Sequence, residues 1–272
     1  MLTKKITDSI TWFSSEKNQV NSTLIELTDA FVIVDTMLYP QDAKEIRKKL
    51  EERHKPVKYI INTHWHSDHI NGNRIMRGNE TRIIAHESYF TTISAEKKIT
   101  NFSQAIDRGF VLPDVVFSEQ LLLPECPEII LLSTPGHSSD SIVVFLKDEK
   151  LLIAGDTVLN GIGKRILPYF GYGDPQKLLE SLKRIIELSP EVIIPGHGDI
   201  CGIGILQEVS EYLSKLLEDF EEFNKEFSDF VAEKDFFQKF PISAYIDNLD
   251  IYEKLNIHDL NVRRLFELLR DN

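Results

Sequence analysis

The feature that most constrains this chain is a histidine-rich segment, residues 63–69, that directly follows an apolar run at residues 59–61. Within six residues it places four side chains of the metal-ligand type, which are His64, His66, Asp68 and His69. In an extended segment His64 and His66 point the same way, and a turn can bring Asp68 and His69 round to a second centre. A helix would scatter these side chains, so we expect the segment at the end of a strand. Imidazoles with a carboxylate suit zinc, with iron or manganese as alternatives.

Three further segments place a ligand-type side chain just after an apolar run, beside glycine or proline. They are Thr134-Pro135-Gly136-His137, Gly155-Asp156-Thr157 and Pro195-Gly196-His197. Glycine and proline let the backbone turn sharply, and loops at the strand ends of a rigid sheet are where a convergent site is usually built. The alternative, a polar loop that is histidine-rich by chance, does not account for these matching segments.

Short β-like runs recur through the first 200 residues, with amphipathic helix candidates between them. The expected strands are Ser22–Leu27, Phe31–Asp35, Lys58–Asn62, Arg82–Ala85, Glu128–Ser133, Ser141–Leu146, Leu151–Ala154 and Val192–Ile194. The expected helices are Gln41–His54 and Pro175–Leu188, and Asp174 is the expected N-cap of the second. Strands mixed with helices in this way predict a layered α/β domain.

The character of the chain changes after Gly204, where apolar and aromatic residues follow a helical period as far as Phe230. We therefore predict a first domain over residues 1–204 and a helical cap or appendage over residues 205–272. The aromatic side chains of this region either pack the helices against the α/β body or cover the site and shape an apolar substrate pocket. The stripe from Phe220 to Phe230 could also pack across a homodimer.

Composition narrows the partners and the compartment. The net charge of −12 argues against a protein that binds the phosphate backbone of nucleic acid, which needs a basic face. No apolar stretch approaches the ~20 residues of a membrane helix, so no membrane association is expected. The chain has two cysteines, too few for a disulfide framework, and it opens without a signal-peptide pattern. We therefore expect a cytoplasmic protein that acts on a small molecule.

The ordered set of motifs resembles that of the metallo-β-lactamase-fold hydrolase superfamily. The matching residues, over roughly positions 20–200, are Asp35, His64-x-His66-x-Asp68-His69, His137, Asp156 and His197. The resemblance implies a four-layer αββα sandwich, here with an added C-terminal helical region. It also implies two divalent metal ions, one bound by His64, His66 and His137 and the other by Asp68, His69 and His197.

By the same resemblance Asp156 bridges the two metal ions. Gly72 also matches the family pattern, and Asp35 is expected to orient ligands through hydrogen bonds without binding metal itself. A hydroxide held between the metals is the expected nucleophile. Asp68 is the expected catalytic carboxylate, which either orients this nucleophile or helps to protonate the leaving group.

An aspartate at position 156 and the lack of a signal peptide favour a glyoxalase II- or lactonase-like branch over true β-lactamases. The segment Asn160–Arg165 departs from the corresponding glyoxalase II segment, and the acidic C-terminal region lacks an evident set of glutathione-binding basic residues. We therefore expect an ester, lactone or thioester substrate that is uncharged and partly apolar. The candidate substrate-binding residues are Trp65, Tyr169, Phe170 and Tyr172.

Two other functions remain open from the sequence. A dinuclear site serves phosphate esters equally well, so a phosphodiesterase or nuclease is one alternative. The other is a non-catalytic metal-binding sensor or partner-binding protein that has kept the fold.

Overall fold

The computed structural model describes residues 1–171, 173–226 and 232–271, apart from the side chains of Pro127 and Asp271. Its strands are β1 (Leu2–Lys5), β2 (Ile10–Ser14), β3 (Asn21–Glu26), β4 (Phe31–Val34), β5 (Val57–Ile61), β6 (Arg82–His86), β7 (Val115–Phe117), β8 (Gln120–Leu123), β9 (Cys126–Ser133), β10 (Ile142–Leu146), β11 (Leu151–Leu159), β12 (Arg165–Ile166), β13 (Val192–His197) and β14 (Tyr252–Glu253). Its α-helices are α1 (Pro40–Glu51), α2 (Ser67–Ile70), α3 (Asn73–Met76), α4 (Tyr89–Lys97), α5 (Phe102–Asp107), α6 (Pro175–Glu187), α7 (Gly204–Glu226), α8 (Glu233–Lys239) and α9 (Asn256–Asp271).

Two mixed sheets carry the architecture. Strands β1 to β7 form the first sheet in chain order, antiparallel from β1 to β4 and parallel from β4 to β7. The second sheet has the order β13-β11-β10-β9-β8, in which β11 and β13 are parallel and the other neighbours are antiparallel. A short parallel pair, β12 with β14, joins the loop after β11 to the C-terminal region.

Alternate residues of the strands pack into different layers of core. In β4, Val32 and Val34 join an apolar cluster between the two sheets, whereas Phe31 and Ile33 join a cluster under α1 and α3. This strand is buried on both faces, which explains why all of its residues are apolar. Helices α6 and α7 cover the outer face of the second sheet. The four-layer αββα arrangement expected from the sequence is therefore confirmed.

Helix α6 forms where its capping residues predict it. The side chain of Asp174 accepts hydrogen bonds from the backbone N–H groups of Gln176 and Lys177, and Pro175 occupies the first helical position. Leu178, Leu182 and Ile185 form its buried stripe, and the helix ends one residue earlier than expected.

The C-terminal helices share their core with the second sheet. Residues of α7, α8 and α9, such as Leu213, Phe236 and Leu265, lie in one continuous apolar cluster with Leu152 of β11 and Leu182 of α6. This supports the packing role of the aromatic residues, while the division into two domains at residue 204 stays a prediction. Phe227 and Phe230 lie outside the described residues. Across the described ranges, no helix combines the length and hydropathy that a membrane crossing requires.

Candidate metal centre

The expected ligand residues lie at one edge of the sandwich, near strand ends of both sheets. Strand β5 ends shortly before His64, β9 ends before His137, and β13 ends at His197, while Asp156 lies within β11. The first segment is only partly extended, because His66 is the N-cap of the one-turn helix α2. The helical turn, and not a continuing strand, directs the last two ligand residues of this segment towards a second centre.

Hydrogen bonds determine which nitrogen of His64 and His137 faces the site. The Nδ1 atom of His137 lies 2.6 Å from the carbonyl oxygen of Tyr169, which can only accept, so Nδ1 carries the proton. The Thr63 hydroxyl donates to Asp35 Oδ2 at 2.7 Å and therefore accepts from His64 Nδ1 at 3.1 Å. In both neutral imidazoles the lone pair is consequently on Nε2.

Three imidazole nitrogens converge on one point. His66 Nδ1 lies 2.9 Å from His64 Nε2 and 3.0 Å from His137 Nε2. A single proton on His66 Nδ1 satisfies only one of these two lone pairs, so the other remains without a donor. A divalent cation accepts all three lone pairs, and three imidazoles are a donor set that suits zinc. We call His64, His66 and His137 the first group.

A second group consists of Asp68, His69 and His197, whose ligand atoms lie close together. His69 donates from Nδ1 to Asp35 Oδ2 at 2.7 Å, and His197 donates from Nδ1 to the carbonyl oxygen of Asn18 at 3.0 Å. The Nε2 atoms of His69 and His197 then face Asp68 Oδ2, at 3.8 and 3.2 Å. Buried His69 Nε2 has no hydrogen-bond partner among the described residues, as expected of a ligand atom.

Asp156 lies between the two groups with one carboxylate oxygen towards each. Its Oδ2 is 3.5 Å from His137 Nε2 and 3.9 Å from His64 Nε2. Its Oδ1 is 3.2 Å from His69 Nε2 and 3.6 Å from His197 Nε2. Oδ1 is also buried without a hydrogen-bond partner in the described part of the chain. This arrangement fits a carboxylate shared between two cations.

The first group is neutral before any cation binds. Burial lowers the pKa of His64 well below its usual value and lowers that of His137. Burial and the neighbouring His137 lower the pKa of His66 to about 3. Because metal ligands must be deprotonated, these three imidazoles can receive a cation at neutral pH without releasing protons.

The second group is organised around charge. Burial opposes protonation of His69 and His197, but Asp156 raises the pKa of both above its usual value. Burial likewise opposes ionisation of Asp68. The neighbouring His69 and His197 nevertheless lower the pKa of Asp68 to about 2. Burial raises the pKa of Asp156, but His69, His197 and His137 together keep it well below its usual value. A cation binding here replaces protons on the two histidines.

Asp35 orients ligand residues through hydrogen bonds, and Gly72 allows two backbone segments to pack closely. Buried Asp35 accepts hydrogen bonds from Thr63 through both of its oxygens and from His69 through Oδ2. Gly72 packs closely against the backbone of Thr36. A Cβ atom there would lie 1.9 Å from the carbonyl oxygen of Thr36, so only glycine permits this close approach of backbones.

A cavity of about 230 Å³ opens onto both groups. It is lined by His66, Asp68, His137, Asp156, Leu159, Ile166, Tyr169, His197, Lys254 and Ile257. Of the expected substrate-binding residues, Tyr169 lines this cavity, and Tyr172 lies outside the described residues.

Trp65 and Phe170 lie elsewhere. Trp65 is buried with Tyr89 and Ile93 under α4, and its ring packs edge-on against the ring of His66, with the two ring centroids 4.8 Å apart. Phe170 is fully buried in the apolar core beneath the C-terminal helices. Neither residue is among those that line the cavity.

The residues of the cavity wall that the sequence reasoning missed include Lys254 and Ile257. Both belong to the C-terminal region, and they reach the site because β14 pairs with β12 in the loop after Asp156. These strands have two residues each, too short to produce a recognisable pattern in the sequence.

Comparisons with known proteins agree with this geometry. Residues 16–197 match the family model of the metallo-beta-lactamase superfamily. The chain is 26% identical over 173 residues to a beta-lactamase-like protein 2 homolog of Caenorhabditis elegans, an alignment that covers 62% of this chain and 51% of the relative. It is 25% identical over 248 residues to the Homo sapiens acyl-coenzyme A thioesterase MBLAC2, covering 78% of this chain and 86% of the relative.

A hydroxyacylglutathione hydrolase of Erythrobacter litoralis is 26% identical over 155 residues, which cover 56% of this chain and 53% of that protein. The chain thus spans about half the length of several of the curated relatives that it matches. Among solved structures, the DIM-1 metallo-beta-lactamase superposes with a TM-score of 0.66 at 19% identity, covering 79% of this chain and 97% of the other. The match of the family model to most of the fold, together with the architecture, shows that the chain belongs to the metallo-beta-lactamase superfamily.

Proposed function

We propose that this chain is a hydrolase that uses two divalent metal ions, with zinc as the resident metal, to cleave a thioester or ester. The observation that carries the proposal is the position of Asp156, whose two oxygens face two separate groups of ligand-type side chains. A single-metal site has no need of a carboxylate in this position. Iron and manganese remain the alternatives to zinc.

The names of the relatives support a thioester carbonyl as the reacting group. They include an acyl-coenzyme A thioesterase, a hydroxyacylglutathione hydrolase and the thioesterase pkgB of Emericella nidulans. In each of these alignments the matched region includes much of the chain, at 25–26% identity. Such identity supports the reaction type better than it supports any one substrate.

The bound metal ions would lower the pKa of water from ~15.7 towards ~7 and polarise the substrate carbonyl. The side chain of Asp68 is a quarter exposed and lines the cavity. Cations held by the neighbouring ligand residues would keep Asp68 ionised, which suits it to accept a hydrogen bond from the attacking water. An ionised carboxylate is poorly suited to act as the acid that protonates the leaving group.

Apolar side chains complete the reaction cavity. Leu159, Ile166 and Ile257 give the cavity an apolar lining beside the ligand residues, and Tyr169 adds an aromatic ring. These side chains would contact the acyl group and exclude bulk water from it. Exclusion of water strengthens the electrostatic interactions within the cavity.

Metal analysis and a substrate comparison test this proposal. The purified protein should contain about two transition-metal ions per chain and hydrolyse simple thioesters faster than a chromogenic phosphodiester. Asp156→Ala should lose both ions and all turnover, whereas Lys164→Met, outside the cavity, should retain both. A metal content near zero with no gain on adding zinc would contradict the proposal. A preference for the phosphodiester would identify a phosphodiesterase, and full metal content without turnover of either substrate would indicate a binding protein.

A further inference from the structure

A lysine is among the residues that line the cavity above the proposed metal centre. Lys254 lines it together with Ile166, Tyr169 and Ile257 and with five of the expected ligand residues. Among the lining residues, all of which belong to the described ranges, Lys254 is the one whose side chain is a cation at any physiological pH.

No carboxylate of the described residues forms an ion pair with Lys254. Other lysines of the chain do have such partners, as in the pairs Lys150 with Glu191 and Lys58 with Glu125. Lys254 is exposed, and it lines the cavity beside the apolar residues Ile166 and Ile257. Its charge is therefore free to interact with whatever occupies the cavity.

The backbone around Lys254 is fixed in position. Strand β14 ends at Glu253, which pairs with Ile166 of β12 and so places the next residue beside the cavity. Lys254 has a φ of 53°, in the left-handed region, and its carbonyl accepts from the backbone N–H of Ile257 at 2.9 Å. The turn at Lys254 thus connects β14 to α9 beside the cavity.

We propose that Lys254 binds an anionic group of the substrate, so that this chain hydrolyses acidic acyl compounds in preference to neutral ones. The inference rests on the proposed function, and it replaces the uncharged substrate expected from the sequence. An ammonium group binds a carboxylate or a phosphate as a compact point charge. Such a contact is strengthened by the apolar wall beside it, which lowers the local dielectric. The anionic group can belong either to the acyl part of the substrate or to its thiol part.

Three thioesters distinguish these sources. Hexanoyl-N-acetylcysteamine is neutral, adipoyl-N-acetylcysteamine carries a carboxylate on the acyl side, and the hexanoyl thioester of 3-mercaptopropionate carries one on the thiol side. Lys254→Met should raise KM for one of the two acidic substrates by about tenfold or more, the size expected for loss of one charge-assisted hydrogen bond. It should leave kcat, and both constants for the neutral substrate, within about twofold. The matched control is Lys164→Met, an exposed lysine outside the cavity, which should change none of these values.

A binding measurement separates this inference from the proposed function. Zinc-loaded protein is titrated calorimetrically with 3-mercaptopropionate and with its neutral amide, since a thiolate binds zinc in either compound. The acid should bind wild type more tightly than the amide does, and Lys254→Met should remove most of this difference. If no thioester is hydrolysed but the difference depends on Lys254, the proposed function fails and the anion site stands. If thioesters are hydrolysed and Lys254→Met affects acidic and neutral compounds equally or not at all, the anion site is overturned.

Discussion

Asn261 of α9 donates a hydrogen bond from Nδ2 to the carbonyl oxygen of Pro168 at 2.7 Å. Its Oδ1 also accepts from the backbone N–H of Phe170, at 3.4 Å, so one side-chain amide holds the backbone on both sides of Tyr169. The carbonyl of Tyr169 is the group that accepts from Nδ1 of His137. A helix of the C-terminal region thereby orients a residue of the first group.

Asn261→Ala should therefore weaken metal binding at the first group. Without the amide, the Pro168 carbonyl and the Phe170 N–H lose their partners, and the loop that holds His137 gains freedom. Loss of a group that orients a ligand typically reduces metal affinity about 10- to 100-fold. Zinc affinity can be measured by competition with a chromogenic chelator. The matched control is Val262→Ala, which shortens a buried apolar side chain of the same helix but leaves the hydrogen bonds of Asn261 to the loop in place.

The Val262 variant should lose stability but keep its zinc affinity. If both variants lose zinc affinity to the same extent, α9 contributes general stability and not the orientation of His137.

Short sequence patterns explain why most of the candidate metal centre could be predicted from the sequence. His137 lies beyond the end of an apolar strand, His197 lies at the end of one and Asp156 lies within one, and each follows a glycine, so these features are visible within a few residues of chain. Parallel and antiparallel pairing then brings these strand ends to one edge, as β11 and β13 show. The helical turn at Asp68 was not visible, because α2 has only four residues and no side-chain cap.

The wall of the cavity was less accessible to prediction, since it depends on long-range packing. Trp65 and Phe170 carry the aromatic character of substrate-binding residues, yet burial in two different apolar clusters decides their roles. Ile257 shows the reverse case, because nothing near it in the sequence distinguishes it from other apolar residues of an amphipathic helix. Its place beside the metal centre follows from how α9 packs against the loop after Asp156.

Asp35→Asn should weaken the second group more than the first. Asp35 accepts from His69 Nδ1 at 2.7 Å, and its negative charge raises the pKa of His69 and makes the imidazole a better ligand. The amide keeps one acceptor oxygen but loses the charge and the second acceptor oxygen. Stepwise zinc titration should show the weaker of two binding steps reduced about 10- to 100-fold.

The exposed carboxylate Asp8 provides the control for loss of one negative charge, and Asp8→Asn should leave both binding steps unchanged. Equal weakening of both steps in the Asp35 variant would contradict a specific role at His69.

Asp140→Asn should stabilise the protein in a pH-dependent way. Asp140 is buried, and burial raises its pKa from the usual 3.8 to about 7, although it accepts a hydrogen bond from the Ser138 hydroxyl at 2.7 Å. Its other oxygen, Oδ2, has no hydrogen-bond partner among the described residues. Between these two pKa values the folded state holds a proton that the unfolded state has lost. Stability of the wild type therefore falls as pH rises through this window and levels off above about 7.

Asparagine does not titrate, so the stability of Asp140→Asn relative to wild type should increase from pH 4 to pH 7, by at most about 4 kcal/mol. Urea denaturation of both proteins at several pH values measures the difference, and effects common to both cancel. A difference that stays constant with pH would mean that Asp140 is ionised in the folded protein throughout.

Gly72→Ala should destabilise the fold and disturb the second group. The new Cβ would lie 1.9 Å from the carbonyl oxygen of Thr36 and 2.9 Å from Cβ of Ala43, and backbone cannot move aside as a flexible side chain can. The N–H of Thr36 donates to the carbonyl of His69 at 2.7 Å, so a shift of this backbone also displaces a proposed ligand. Overpacking of this kind costs about 1–3 kcal/mol, measurable by urea denaturation together with zinc content. Gly204→Ala is the matched control, because its Cβ meets nothing within 4 Å, and its stability should stay within about 0.5 kcal/mol of wild type or rise. If Gly72→Ala is as stable as wild type, the backbone segments at Gly72 and Thr36 can move apart without loss of folding free energy.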